Sequence, residues 1–458
     1  MNRQRSPLGG ISSVLANPSF LYLWTAQGLS QIALNATIYI LLVRVEEWTG
    51  SSIAVSYLIL SFIVPSVVMG VAAGVFVDRW PKKRVLIASS LLRAVIVATF
   101  VILAQNLLLV VLVNLAYSIV SQFFLPAEAA SIPQVVERED LLVANGLFNI
   151  TMSGAQLLGF VFFGPLMTKS MSSNAAFLSL ASIYAGCALL IGFIRLPEPA
   201  LVADGADLAR GWWHAVREEL EEGWRLLVQD TRVSLSVSHL TFINSLILVI
   251  GMLAPGYVSR VLNIRADDAV FVMAPAGLGM LMGIALLPRL SLWWPKEVIA
   301  VVGIFAAAWT LLALGAVGVL QQPITQWEPF KALAEATHLE SAGLVAIVAF
   351  MALVFGFGYA SVNVAAQTLV HENVPLELRG RIFATQFAFA NAAAVAPLLF
   401  MGGLADRVGI VGVTFIGALL MLSYGIFTAY RMRDLHMTVD RDEPAARTSE
   451  EQARPTHE

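Results

Sequence analysis

Cysteine and charge are what this chain has least of. Its 458 residues include one cysteine, Cys187, set in an apolar run, so neither an internal disulfide nor a cysteine metal site is available. Charged residues make up only 13%, too few to solvate a soluble chain of this length. No basic tract or RNA-binding motif occurs, which argues against a nucleic-acid partner. A phosphate-binding Gly-x-x-x-x-Gly-Lys loop is missing, so ATP is not the direct drive. His-Glu-x-x-His pairs and Gly-x-Ser-x-Gly elbows are missing too. Catalysis, a bound metal and a cofactor are therefore not expected.

What the chain has is apolar length. Hydrophobic residues reach 58% and the mean hydropathy is +0.77. Runs of about 20 such residues recur, each long enough to cross roughly 30 Å of hydrocarbon as a helix. They are continuous rather than alternating, which excludes a transmembrane barrel. Hydropathy places spans at 20–43, 53–77, 85–104, 107–125, 142–167 and 175–194, then at 233–258, 269–287, 298–320, 342–370, 382–404 and 411–430. The expected class is an all-α polytopic membrane protein with 12 transmembrane helices in two six-helix bundles.

Charge gives the orientation. With the N-terminus inside, only Arg44, Lys169, Arg260, Arg265, Lys331 and Arg407 of the 28 Lys and Arg fall outside. Cations accumulate on the cytoplasmic side of short loops, so both termini are expected there. Arg3 and Arg5 precede a polar stretch and then a full span, so the first helix is expected to act as its own insertion signal.

Four regions follow: a bundle at 1–195, a linker at 196–231, a second bundle at 232–432 and a polar tail at 433–458, expected to be disordered. In the linker Trp213, Val216, Leu220, Trp224 and Leu227 recur at helical spacing, predicting an amphipathic helix on the inner membrane surface. Repetition links the bundles. Trp80-Pro81-Lys82 is echoed by Trp294-Pro295-Lys296, and the loop at 133–142 by the one at 373–381.

The second span stops at Asp78, turns at Trp80-Pro81 and leaves Lys82, Lys83 and Arg84 before the third. Gly74-x-x-x-Asp78-Arg79-x-x-Lys82-Lys83 resembles the signature loop of the major facilitator superfamily, with Pro81 where that family has glycine. Pro126-Ala127-Glu128-Ala129 and Ala144-Asn145-Gly146-Leu147, with Glu377, Arg379 and Arg381 in the matching second loop, are similar to its siderophore-exporter and macrolide-efflux branch. Gly154, Gly159, Gly164 and Pro165 partly resemble the Gly-Pro motif of its antiporters, although close helix packing alone also accounts for such glycines. Asp406-Arg407-x-Gly409 looks like a second signature loop and is read as an outer turn.

The resemblance implies a secondary-active transporter that gates by rocking its halves, the signature loop locking one state. It further implies export of small amphipathic molecules, drug-like or siderophore-like, with protons as counter-ion, by a monomer in the bacterial cytoplasmic membrane. A lysophospholipid translocase and a metabolite importer of the same fold are the alternatives. Small-molecule or lipid-like substrates and membrane lipid are the expected partners.

Charge inside the bilayer must face protein or water, which singles out Arg93 and Glu128. Arg93 has two readings, a counter-charge for an anionic substrate or a structural group held by a carboxylate or carbonyls, of which the second is favoured. Glu128 and His239 are the candidates for titration during transport. Amides supply the candidate cavity lining: Gln27, Gln31 and Asn35 in the first span, Asn149 and Gln156 in the fifth, Asn244 in the seventh, Asn363 and Gln367 in the tenth, and Gln386 in the eleventh. Such groups are costly against lipid, and a cavity built of them suits a neutral or amphipathic ligand.

Overall fold

Asn17 starts the first crossing. Its Oδ1 accepts from the backbone of Ser19 and Phe20 at 3.0 and 3.3 Å, with Pro18 at the first helical position, where its missing N–H costs nothing. The helix ends at Gly50, whose φ of 53° is the left-handed conformation that glycine adopts most cheaply. Similar punctuation sets the other crossings. The computed structural model describes residues 7–103, 106–196, 225, 231–321, 323, 326, 342–374 and 376–452. The predicted amphipathic linker helix lies outside them, as do the side chains beyond residue 433.

The N-terminal half holds α1 (Pro7–Ala16), α2 (Pro18–Thr49), α3 (Ser52–Arg79), α4 (Lys82–Thr99), α5 (Leu107–Gln122), α6 (Phe124–Val135), α7 (Leu141–Leu157), α8 (Gly164–Ser170) and α9 (Ser173–Gly192). The fourth crossing is α5 and α6, broken at Phe123. The fifth is α7 and α8, joined by a π-helical turn, Leu158–Phe163, directly before Pro165. A proline removes an N–H from the ladder, and a wider turn is one way a helix absorbs such a defect.

The C-terminal half holds α10 (Thr231–Arg260), α11 (Val270–Leu290), α12 (Lys296–Val319), α13 (Ala342–Asn373) and α14 (Leu376–Gln452), the last turned at Gly409, where φ is 82°. Ten helical stretches are long and apolar enough to cross a membrane, one of them Thr385–Arg433. Dividing that stretch at Gly409 and adding α4, with its cations Lys82, Lys83, Arg84 and Arg93, gives the twelve crossings expected. No strand occurs among the described residues.

Alternate crossings run in opposite directions, so every turn belongs to one of two ends. The Gly50, Met171 and Gly409 turns share one end, and the Trp80, Val136 and Trp294 turns share the other. Within the C-terminal half α11 and α13 pack backbone against backbone: a Cβ at Gly356 would overlap the carbonyl oxygen of Ala276, and one at Gly279 that of Leu353.

Candidate functional site at the junction of the halves

At the Gly50 end the two halves are bolted together by charge. Asp406, in α14 just before the Gly409 turn, reaches the N-terminus of α3 in the other half. Its carboxylate accepts from Ser51 Oγ at 2.6 Å, Ser52 N at 2.7 Å and Ile53 N at 3.2 Å. Ser51 Oγ in turn accepts from Ala54 N at 3.3 Å. The first three N–H groups of a helix have no partner within it, so α3 is capped partly by its own serine and partly by a carboxylate from the opposite half. That carboxylate also faces the positive end of the helix dipole.

Arg260 at the end of α10 completes the cluster. Its Nη2 donates to Ser52 Oγ at 2.8 Å and lies 3.0 and 3.1 Å from the two oxygens of Glu46, while Nη1 is 3.7 Å from Asp406. Glu46 is only 3% exposed. Beside this cluster Lys169 of α8 pairs with Asp268 at 2.5 Å and sits over the Phe271 ring. One turn deeper Ser56 Oγ donates to the carbonyl of Leu398 at 2.9 Å. The approach requires glycine at 402, where a Cβ would overlap Ser56 Oγ and lie 3.2 Å from Ile53 Cα.

The Trp80 end is built differently. Lys82 Nζ donates to Val77 O at 2.8 Å, closing the C-terminus of α3 before Pro81 starts α4. Gly74, at the same position in the signature loop as Gly402 in Gly402-x-x-x-Asp406-Arg407, has open space where a Cβ would point. The side chains of Asp78, Glu377, Arg379 and Arg381 lie outside the described residues. Arg79 and Arg84 are described and make further contacts.

Comparison with known proteins agrees with this architecture. Residues 23–397 match the family described as Major Facilitator Superfamily. The chain belongs to the major facilitator superfamily. It is 24% identical over 392 residues to an uncharacterized MFS-type transporter, YfiS, of Bacillus subtilis (strain 168), covering 83% of this chain and 84% of that one. Its fold is similar to a mutant form of the nucleoside transporter NupG, with a TM-score of 0.69 at 11% identity over 90% of this chain and 99% of that one. It is also similar to a POT family transporter in complex with 5-aminolevulinic acid, with a TM-score of 0.65 at 11% identity over 90% and 95%. As a superfamily member the chain is a multi-pass integral membrane transport protein.

Two further buried charges of this superfamily member, Arg93 and Glu128, lie inside the N-terminal half. Arg93, 2% exposed, donates from Nη1 to Ser30 Oγ at 2.9 Å and from Nε to Ser89 O at 3.3 Å. Its guanidinium lies over the Phe124 and Tyr184 rings at 4.3 and 4.8 Å, where the ring faces attract a cation. Tyr184 shares a hydrogen bond with Tyr117. Glu128 is 3% exposed and its Oε1 has no hydrogen-bond partner. Hydroxyl, carbonyl and aromatic faces thus hold the arginine, and the Glu128 carboxyl lies within its electrostatic reach.

The amides scatter more than their spacing suggests. Gln27 is buried and donates to Phe148 O, tying α2 to α7. Gln31 is buried, and Asn35 donates to its carbonyl at 2.8 Å. Asn149 and Gln156 are exposed one heptad apart, while Asn244 and Gln386 are half-buried. Gln367 donates to Asn363 Oδ1 at 2.9 Å. His239 is buried with both ring nitrogens unpartnered. In the antiporter-like stretch, a Cβ at Gly159 would press on Ile32 O at 2.6 Å and one at Gly164 on the Tyr39 ring at 2.8 Å, whereas Gly154 has open space. Two of these glycines therefore seat the fifth crossing against the first.

Sequence reasoning passed over Glu46 and Asp268, read Lys169 and Arg260 only as outer cations, and took Asp406 for part of an outer turn. Their signal was positional: each lies at a span end facing the same side, and Gly402-x-x-x-Asp406-Arg407 copies Gly74-x-x-x-Asp78-Arg79.

Proposed function

We propose that this chain is a secondary-active exporter of small amphipathic molecules, drug-like or siderophore-like, working by rocker-switch alternating access in a bacterial cytoplasmic membrane. One observation carries the reading. Two copies of the same Gly-x-x-x-Asp-Arg element sit at opposite ends of α3 and the first part of α14; the Gly402 copy is clamped against α3, while a Cβ at Gly74 would meet nothing within 4 Å. A transporter that alternates needs two packings of comparable free energy, and such paired elements supply a latch for each. With both termini cytoplasmic, the clamped Gly402 end is the outer one.

The uncharged, largely apolar cavity in the C-terminal half favours a ligand with a substantial apolar face. Glu128 is the group to carry a proton, being a buried carboxyl with an unpartnered oxygen. The experiment is flux in liposomes under an imposed proton gradient, across drugs, siderophores and single-chain lipids. The expected result is gradient-driven export by the native chain, and for Glu128→Gln a loss of gradient-driven flux of at least tenfold with substrate exchange retained. Equal gradient-driven flux in the variant removes the proton role, and transport only inward transfers the reading to metabolite import.

A further inference from the structure

A cavity of about 410 Å3 lies within the C-terminal half, beside α10 from Ser238 to Tyr257, with walls from Leu311 and Leu314 of α12 and from α14 between Phe389 and Tyr424. Nineteen residues of helix extend about 28 Å at 1.5 Å each, so the volume is drawn into a slot nearly as long as the hydrocarbon layer is thick. No charged side chain lines it. Phe389 and Leu420, 42% and 50% exposed, form its edge, where the surrounding acyl chains lie.

Most hydroxyls on its wall are already committed. Ser245 donates to Thr241 O at 2.9 Å, Tyr257 to Leu314 O at 2.8 Å and Thr414 to Ile410 O at 2.8 Å, and Ser238 pairs with Tyr424 at 2.8 Å. Thr241 is the exception: its Oγ1 is buried without a partner. His239, two residues earlier, has both ring nitrogens unpartnered and its ring edge-on to Tyr424 at 5.8 Å. Buried polar groups in folded proteins are normally satisfied, and each exception calls for something to satisfy it. An apolar slot stays dry.

We propose that the slot receives the hydrocarbon chain of a single-chain amphipath, whose uncharged hydrogen-bonding head is met by Thr241 beside the Ser238–Tyr424 pair. A long, narrow, uncharged wall fits one extended chain better than a compact multi-ring body, and a charged head would find no counter-charge there. The chain enters sideways from the bilayer past Phe389 and Leu420. The inference deepens the export reading, on which it rests for the direction of movement alone.

The test uses the full chain in phosphatidylcholine liposomes with a monoacylglycerol bearing a diazirine at its chain end, photolysed and mapped by peptide. Labelling is expected at slot residues such as Leu253 and Met401 and, as background, at the lipid-facing Leu419 and Ile426. Gly417→Leu grows into the slot, since a Cβ there meets only Leu311 Cδ1 at 3.9 Å. It is expected to cut slot labelling at least tenfold and leave Leu419 and Ile426 unchanged. Thr241→Val keeps the shape and removes one hydroxyl; slot labelling should fall about threefold with unaltered thermal unfolding. Labelling confined to Leu419 and Ile426, or undiminished in both variants, overturns the proposal. Occupancy is read apart from flux: a labelled slot without transport refutes export only, and transport with an unlabelled slot refutes the slot only.

Discussion

Replacing Asp406 by alanine removes the bolt at the Gly50 end without touching a core side chain. The native carboxylate holds two backbone N–H groups and a hydroxyl at the start of α3. Loss of a capping side chain costs typically about 1 kcal/mol, and loss of a charge beside a helix N-terminus a further ~0.5 kcal/mol. The contact with Arg260 at 3.7 Å is about one-quarter to one-third exposed on its two sides, so it adds at most another ~0.5 kcal/mol. The total of about 2 kcal/mol is close to thirty-fold in the ratio of open to closed. A rim open about 3% of the time becomes open about half the time. Spin labels on cysteines placed at Thr49 and Val408, exposed on opposite halves of this rim, report the distance by double electron–electron resonance. Cys187 is fully buried and does not take up label. The expected result is a second, longer distance of comparable weight in Asp406→Ala. A folded variant that keeps the native single distance refutes the latch.

Lys169→Ala removes a pair whose side chains are 39% and 22% exposed; the same labels should show a shift of roughly twofold, near 0.5 kcal/mol, far smaller than for Asp406. Gly356→Ala forces a methyl onto the Ala276 carbonyl, a backbone atom that cannot rotate away. It should lower stability by about 1–3 kcal/mol, visible as a reduced thermal midpoint in detergent, with the rim distances intact. Asp78→Ala, at the other copy of the element, should shift the rim equilibrium in the opposite sense to Asp406→Ala, toward a shorter and sharper Gly50-end distance.

The crossings were legible because hydrophobic length is a local property. Each needs only about 20 apolar residues and a stop, and the stops at Gly50, Trp80-Pro81 and Gly409 are glycines and prolines whose chemistry is visible in the letters. Even α4 was found despite four cations, three of which fall before its apolar part. The rim cluster was much less legible. Glu46 and Arg260 are 214 positions apart, and no periodicity relates residues in different halves. Glu46 looks like the polar end of an apolar run, and Arg260 like one more outside cation. Asp406 was noticed as a copy of the signature loop, but only the packing shows whose N-terminus it caps. The amides were legible only as faces. Helical spacing puts Gln27, Gln31 and Asn35 on one face, yet a face says nothing about whether its neighbour is water or the Phe148 carbonyl. Similarly, the π turn before Pro165 leaves no mark that separates it from an ordinary kink.

Why the latch takes this form follows from helix direction. α3 starts at the Gly50 end and finishes at the Trp80 end, whereas the first part of α14 runs the other way. Two antiparallel helices place the C-terminus of each beside the N-terminus of the other. An aspartate near either C-terminus is therefore poorly placed against its own helix dipole and well placed against its neighbour's. Gly-x-x-x-Asp puts that carboxylate about one turn beyond a glycine on the same face, so the helices must approach at the glycine before the aspartate can reach. At Gly402 they do approach, and Asp406 is in contact; at Gly74 a Cβ would meet nothing within 4 Å. Tilting one half against the other cannot satisfy both ends together, because closing one crossing opens its opposite. On the alternating-access proposal, mutual exclusion of the two ends comes from the geometry of this one helix pair, and the ion pairs around it set how strongly each end holds.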